Sequence, residues 1–386
     1  MKVIQTNKAY LPLIGGVETT IAGLAAGLSR TPGVEVEAHV CNGNRSFVMH
    51  RSELQGVPVF YLPRWGTFAS LPLSPGYFRH LAGLKGDILH VHEPFPLVDI
   101  AMRLFPRIRK NFKRIVVTWH SDIVRQRWAL GIYAPFIHKF LAQVDRIFVS
   151  SPALIEGSEY LTPYRAKCEV LPLGLDLSWT ARSAERASRV EQIRNSYTVP
   201  IVLFVGRLVY YKGLEYLIAA MSGVPDAHLV IIGQGPLQDV VEHQIQASGL
   251  SARITVLPHL DAEELHAYYE ACEVFVLPST ERSEAYGLVQ IEAMACGKPV
   301  VCTEIRTGTT FVNQHDVTGF AVPPRDAGCL ADAIRLILEN NDLRLRMGAA
   351  ARRRALEEFT TERMVARTME AYRALVGDAL PERGPR

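Results

Sequence analysis

Residues 274–294 read Val-Phe-Val-Leu-Pro-Ser-Thr-Glu-Arg-Ser-Glu-Ala-Tyr-Gly-Leu-Val-Gln-Ile-Glu-Ala-Met. The unbroken apolar run Val274–Leu277 is too short for a helix and has no polar alternation, so it predicts a strand covered on both faces. A polar loop follows, and a helical pattern begins near Gly287. Strand, loop and helix in that order are the repeating unit of a parallel sheet wrapped by helices. Glu284 and Glu292 flank seven residues of this turn. Amide groups at a helix start suit a diphosphate, and a carboxylate on either side, with Ala285, Tyr286, Gly287 and Leu288 between, can grasp sugar and ribose hydroxyls. An isolated pair of glutamates is better read as a helix-start charge and a solvated side chain. The residues that accompany this pair decide otherwise.

The same alternation runs outward in both directions. Towards the N terminus it predicts strands at Val3–Thr6, Val34–Val40, Val57–Leu62, Ile88–Val91, Ile115–Trp119, Arg146–Ser150 and Cys168–Leu173. A polar stretch from Ser178 to Tyr197 interrupts the series. A second set follows at Ile201–Val205, His228–Ile232, Ile254–Leu257, Val274–Leu277, Val300–Thr303 and Phe320–Val322. From Leu330 onward the chain reads as helix, in Leu330–Glu339, Leu343–Glu358 and Glu362–Val376, with a frayed tail at Pro381–Arg386. The expectation is an α/β protein of two Rossmann-like, doubly wound parallel-sheet domains facing across a cleft, with ligands at the carboxyl ends of the strands. The domains are set at 1–178 and 179–361, with a C-terminal helix, 362–386, packing back on the first.

A length of 386 residues with 48% apolar content fits two cores. Net charge is only +3, yet the chain up to residue 180 carries +7 and the remainder −4. The first half is therefore expected to meet something anionic, such as phospholipid, a lipid diphosphate or nucleic acid. No nucleic-acid recognition motif accompanies the basic half, so that last class is set aside. Cys41, Cys168, Cys272, Cys296, Cys302 and Cys329 are scattered without metal or disulfide spacing, which predicts a reduced, cytoplasmic protein. Met1-Lys2 leads straight into a strand pattern, and no apolar stretch approaches the roughly 20 residues that span a bilayer.

Gly206-Arg207 follows the run Ile201–Val205, and Lys212-Gly213 opens the next helical pattern. Two cations at a strand's carboxyl end can neutralise charge developing on a leaving nucleoside diphosphate. The glycines do not form the G-x-x-x-x-G-K-[ST] loop of nucleotide triphosphatases. Gly15-Gly16 precedes the helical pattern Val17–Leu28, where a missing side chain permits close approach of a phosphate or sugar. Gly233 reads as a turn near the nucleotide base. His120 follows Ile115–Trp119 directly and can bond the transferred sugar, with Asp122 available to fix its tautomer. His90, His92 and Glu93 close another strand, but further ligands are not visible and no D-x-D occurs, so neither a metal nor a cofactor is expected. The segment 103–114 interleaves Leu104, Phe105, Ile108 and Phe112 with six basic residues. It reads either as a basic surface helix resting on an anionic membrane or as an ordinary helix packing its apolar stripe on the sheet.

Together, Gly15-Gly16, His92-Glu93-Pro94, Trp119-His120-Ser121, Gly206-Arg207, Lys212-Gly213 and the Glu284/Glu292 pair resemble the retaining glycosyltransferases of family 4, which have the GT-B fold. The resemblance implies that Arg207 and Lys212 bind the donor diphosphate, that Glu284 contacts the transferred sugar and that Glu292 holds the ribose. It places Gly16 and His120 near the diphosphate and sugar, and implies that no divalent metal is needed. The segments Trp119–Gln126 and Glu292–Val301 are similar to bacterial mannosyl- and rhamnosyltransferases of O-antigen and exopolysaccharide assembly. These use GDP-sugars on polyprenyl-diphosphate-linked acceptors, which makes GDP-mannose the leading donor and the inner face of the cytoplasmic membrane the expected location. The loop Arg306–Thr310 lacks a proline frequent in relatives. Rival readings are a UDP-sugar donor, a nucleotide-sugar epimerase on the same scaffold, and a non-catalytic sugar- or lipid-binding protein.

Overall fold

Neighbouring residues of one strand enter different cores in the N-terminal sheet, and this is what makes its strands apolar throughout. Val3, Ile88 and Val116 pack on one face, while Ile4, Leu89 and Ile115 pack on the other. Alternation of side chains across a strand demands exactly such double coverage. In the computed structural model described here, residues 1–13, 15–68, 71–122, 127–181 and 183–377 are described, with the backbone alone for 127–132. The segment Ile123–Gln126 and the tail Pro381–Arg386 lie outside the described residues.

The chain divides into two compact units, one formed by Met1–Leu175 with the segment from Thr361 onward, the other by Asp176–Thr360. The first contains β1 (Lys2–Asn7), β2 (Glu35–Cys41), β3 (His50–Leu54), β4 (Val57–Leu62), β5 (Gly66–Phe68), β6 (Leu71–Leu73), β7 (Gly86–Glu93), β8 (Phe112–Trp119), β9 (Arg146–Val149) and β10 (Cys168–Val170). Eight of them form one sheet in the order β10-β9-β8-β7-β1-β2-β4-β3, parallel except for β3. Strands β5 and β6 form a separate antiparallel ribbon. Neither β3 nor this ribbon is expected from the sequence. Strand β3, His-Arg-Ser-Glu-Leu, lies on the sheet's edge with mostly exposed residues, so it lacks an apolar run. Helix Thr361–Val376 supplies Met364, Met369, Ala371 and Tyr372 to the core that also receives helix Gly16–Ser29.

The second unit contains β11 (Ile201–Val205), β12 (His228–Ile232), β13 (Ile254–Leu257), β14 (Val274–Leu277), β15 (Val300–Thr303) and β16 (Gly319–Val322). They form one parallel sheet in the order β13-β12-β11-β14-β15-β16. This is the 3-2-1-4-5-6 order of dinucleotide-binding sheets, and the connections leaving β11 and β14 diverge between those two neighbours. Its core takes Phe204, Ile231, Val276 and Ile334, all fully buried. Each such side chain contributes about 1.5–3 kcal/mol relative to exposure.

The single helix expected over 103–114 is corrected. Helix Pro96–Leu104 ends there, Arg107–Asn111 makes a separate short turn, and Phe112 already starts β8. Pro106 removes an amide and interrupts the ladder. Ile108 and Phe112 are buried and Phe105 packs on the same core, while Leu104 stays exposed. Arg109 pairs with Asp145 at 3.1 Å and Lys113 with Asp87 at 2.7 Å. Among the described residues, no helix is long and apolar enough to cross a membrane.

Candidate active site

In the second unit, the loops leaving β11 and β14 carry the charged residues. These strands are neighbours, with Val202 opposite Val274 and Leu203 opposite Phe275. Glycines bring the loops together. Gly213 has φ +66, and a Cβ there would stand 2.1 Å from the carbonyl oxygen of Pro278. Gly233 has φ +148, and its Cβ would stand 2.0 Å from the oxygen of Gly206. Such contacts admit only a residue without a side chain. Gly233 thus spaces the ends of β11 and β12, which are further joined by Gly206 N–H donating to Ile232 O at 3.0 Å.

Lys212 and Glu284 are both buried, and their side chains meet at 2.5 Å. Ser279, two residues beyond β14, donates its hydroxyl to the same Glu284 oxygen at 3.0 Å. A buried ion pair of this kind survives because each charge is paired and hydrogen-bonded. Arg207 differs: it is exposed and has no ion-pair partner among the described residues. The helix Leu288–Ala295 begins behind Gly287, whose φ of 75° is left-handed and which offers no side-chain cap. Its first amides therefore have no side-chain acceptor of their own at the cap. Glu292 stands in the second turn, where Tyr269 donates to it at 2.6 Å. Burial pushes the Glu292 carboxyl above its ordinary range, and the bond from Tyr269 pulls it part of the way back.

Between these carboxylates, the Ala285 carbonyl accepts the Gly308 amide at 2.8 Å, and Leu288 opens the helix. Tyr286 is buried with its ring edge-on to Phe359, 6.2 Å between centroids. Its ring is a packing element, and a Cβ on Gly308 would strike it at 2.3 Å. Tyr269 and Ser279 are site residues that sequence reasoning missed. Ser279 was detectable as the first hydroxyl after the β14 strand; Tyr269 comes from a separate helix, Ala262–Ala271, and left no local signal.

In the first unit, β1, β7 and β8 end side by side. Gly15 precedes helix Gly16–Ser29 in extended conformation without a side-chain cap, and a Cβ there would meet the Glu18 carboxylate at 2.4 Å. His120 follows β8, is buried, and its Nε2 lies 3.1 Å from Nδ1 of His92. His92 stacks in turn on His90, 4.3 Å between ring centroids. His90 is held by Thr118 at 2.7 Å and by the Tyr372 hydroxyl at 2.6 Å. The ring partner of His120 is thus His92, while Asp122 accepts from the Trp119 indole at 2.9 Å and from Ser158 at 2.6 Å. Burial, with a smaller contribution from Lys8, holds the His120 imidazole down at about 4, so the ring is neutral near pH 7. Glu93 and Asp99 are buried close by, with Tyr133 donating to Asp99. Burial raises both carboxyls, Glu93 well above its usual range and Asp99 to about 7. Among the described residues, no three His, Cys, Asp or Glu side chains converge as a metal-binding group.

The second unit thus carries a lysine–glutamate pair, an exposed arginine and a helix without a side-chain cap beyond the carboxyl ends of β11 and β14. Comparison with known proteins fixes the class. Residues 15–174 match the "Glycosyl transferase 4-like domain" and residues 186–354 match "Glycosyl transferases group 1". The chain is 33% identical to O-antigen chain mannosyltransferase C of Escherichia coli, over 97% of this chain and 99% of that one. It is 34% identical to D-rhamnosyltransferase WbpZ of Pseudomonas aeruginosa, over 93% and 92% of the respective chains. Among solved structures, sucrose-phosphate synthase from Thermosynechococcus elongatus superposes with a TM-score of 0.78 at 25% identity, over 97% of this chain and 98% of that one. The chain belongs to glycosyltransferase family 4 and has the GT-B fold.

Proposed function

We propose that this glycosyltransferase moves a hexose, mannose from GDP-mannose in the first instance, onto a polyprenyl-diphosphate-linked saccharide during assembly of a bacterial surface polysaccharide. The reaction proceeds with retention, forms an α-glycosidic bond and needs no divalent metal. Its setting is the inner face of the cytoplasmic membrane. The observation that carries this reading is the Lys212–Glu284 pair next to the unpaired Arg207 at the carboxyl ends of β11 and β14. The choice of a hexose used in surface polysaccharides draws support from the likeness to the mannosyl- and rhamnosyltransferases.

In this mechanism Arg207, Lys212 and the amides at Gly287–Val289 take up the charge that grows on the departing diphosphate. The acceptor hydroxyl forms its bond to the anomeric carbon on the face from which the phosphate oxygen leaves, and its proton passes to that oxygen. Glu284 bonds the transferred sugar and Glu292 the ribose. His120, neutral, donates or accepts one hydrogen bond at the sugar without adding charge. Binding energy released only as the anomeric bond breaks is what raises turnover.

Calorimetric titration in EDTA with GDP, UDP and GDP-mannose tests the donor. Binding of GDP at least tenfold tighter than UDP is the expected outcome; preference for UDP removes GDP-mannose. NMR of the product then reads the anomeric configuration, and a β-linkage overturns retention. Conversion of donor without acceptor would make the protein an epimerase.

A further inference from the structure

The described residues of this chain include thirteen large apolar side chains exposed to solvent, and six of them fall in two short loops of the first unit. Phe47, Val48 and Met49 follow β2, while Trp65 leads into the β5–β6 ribbon after β4 and Phe68 and Leu73 belong to it. The backbone sets these loops side by side. Ser46 and Arg64 exchange amide–carbonyl bonds of 2.8 Å in both directions, and Trp65 N–H donates to Leu73 O at 2.8 Å. Arg64 ties the two together from beneath by donating to the carbonyls of Asn42 at 3.3 Å and Gly43 at 2.5 Å. Leu13, from the loop that leads to Gly15, lies over Gly43, where a Cβ would meet it at 2.9 Å.

The two loops, residues 42–49 and 63–75, contain no acidic residue, and Arg45, Arg64 and, at the start of β3, Arg51 stand in or next to them. Arg45 lies over the Phe47 ring at 5.3 Å, its guanidinium held beside the apolar tip. Single exposed apolar residues are ordinary, but a contiguous group of this size on a folded surface marks a partner. Aromatic and aliphatic tips flanked by Arg45 and Arg51, in loops without a carboxylate, match a bilayer that is apolar within and anionic at its surface.

We infer that the β2–β3 loop and the β5–β6 ribbon form a docking surface through which the first unit inserts into an anionic lipid bilayer. The surface sits at the carboxyl edge of β2 and β4, the edge on which β1 leads to Gly15 and β8 leads to His120. A lipid-linked acceptor would then be met on the side of the unit that faces the membrane. That consequence rests on the acceptor reading above, whereas the lipid contact itself does not.

The full chain, mixed with vesicles of phosphatidylcholine alone or with added phosphatidylglycerol, gives the test by flotation. It is expected to partition onto the anionic vesicles and to stay free of the neutral ones. The double variant Trp65→Ser with Phe68→Ser should lose about tenfold or more in partition. Arg45→Gln with Arg51→Gln should lessen the response to phosphatidylglycerol. The circular dichroism spectrum and the urea unfolding midpoint of the full chain are the control for folding and should be unchanged in both variants. Failure of the parent chain to bind anionic vesicles, or equal binding by the serine variant, overturns the inference. So does self-association abolished by the serine variant in a chain that ignores vesicles, which would give the surface to a second copy. A protein that floats with vesicles yet glycosylates only a soluble acceptor leaves this surface standing and breaks the acceptor reading. One that glycosylates a lipid-linked acceptor in detergent but never floats does the reverse.

Discussion

The two sheets carry their candidate functional residues at their carboxyl ends and equip those ends with opposite chemistry. At β11 and β14 there are full charges, with Lys212 locked to Glu284 and Arg207 left open. At β7 and β8 there is a column of histidines in which burial lowers the pKa of every ring, His90 to about 3 and His120 to about 4. A parallel sheet thus offers a position rather than a chemistry. On the proposed mechanism the charged end meets the leaving phosphate, and the neutral end orients hydroxyl groups without ionising them.

The sharpest way to break that contrast is to remove one cation at a time. Arg207→Ala and Lys212→Ala are each expected to lower kcat by about 10²–10³, the usual effect of losing one transition-state donor. Stability separates them. Lys212→Ala strands a buried carboxylate and should destabilise the second unit by roughly 3 kcal/mol, read from urea unfolding. Arg207→Ala should leave stability within about 0.5 kcal/mol. Equal destabilisation by both would show that the two cations are not differently placed.

Acid distinguishes the first unit. Because the folded His120 pKa lies below its ordinary value of 6.5, the unfolded chain binds more protons between 6.5 and 4. The stabilisation from holding this ring neutral is complete above 6.5 and is lost as pH falls towards 4. Between pH 7 and 5 the loss from this one ring is roughly 2 kcal/mol, and His120→Gln should remove that part of the slope. An unchanged slope would mean that His120 takes up its proton in the fold as readily as in the unfolded chain. Tyr269→Phe is a smaller change at the charged end. It should weaken donor binding about five- to tenfold through Glu292, measured by calorimetry, with little effect on turnover of bound donor. Smallest is Tyr372→Phe, which removes the bond to His90 and should cost about 1 kcal/mol of stability without affecting nucleotide affinity.

Strands such as Ile201–Val205 and Val274–Leu277 are legible in the sequence because double coverage leaves them wholly apolar. Strand β3 was not, since an edge strand with one free side can be almost entirely polar. Over 103–114 the alternating basic and apolar residues suggest one amphipathic helix, but Pro106 carried more weight than the pattern around it. At the site, Arg207, Lys212, Glu284 and Glu292 stand out by their positions after strands. Their partners do not. Lys212 and Glu284 are joined only by the folding of a parallel sheet, and the Tyr269 bond to Glu292 needs a helix whose sequence reads as ordinary core. Gly233 is recognisable as a turn, whereas its close approach to Gly206 depends on a neighbouring strand.

Helix Thr361–Val376 completes a unit that began some hundreds of residues earlier in synthesis. Until it emerges, His90 lacks the Tyr372 hydroxyl, Arg114 lacks the Leu375 carbonyl that it reaches at 2.6 Å, and one face of the N-terminal sheet is bare of Met364 and Met369. The second unit, whose sequence is continuous, has all of its strands beforehand. The first unit thus depends on a segment made after the whole of the second, whereas the second depends on nothing made after itself.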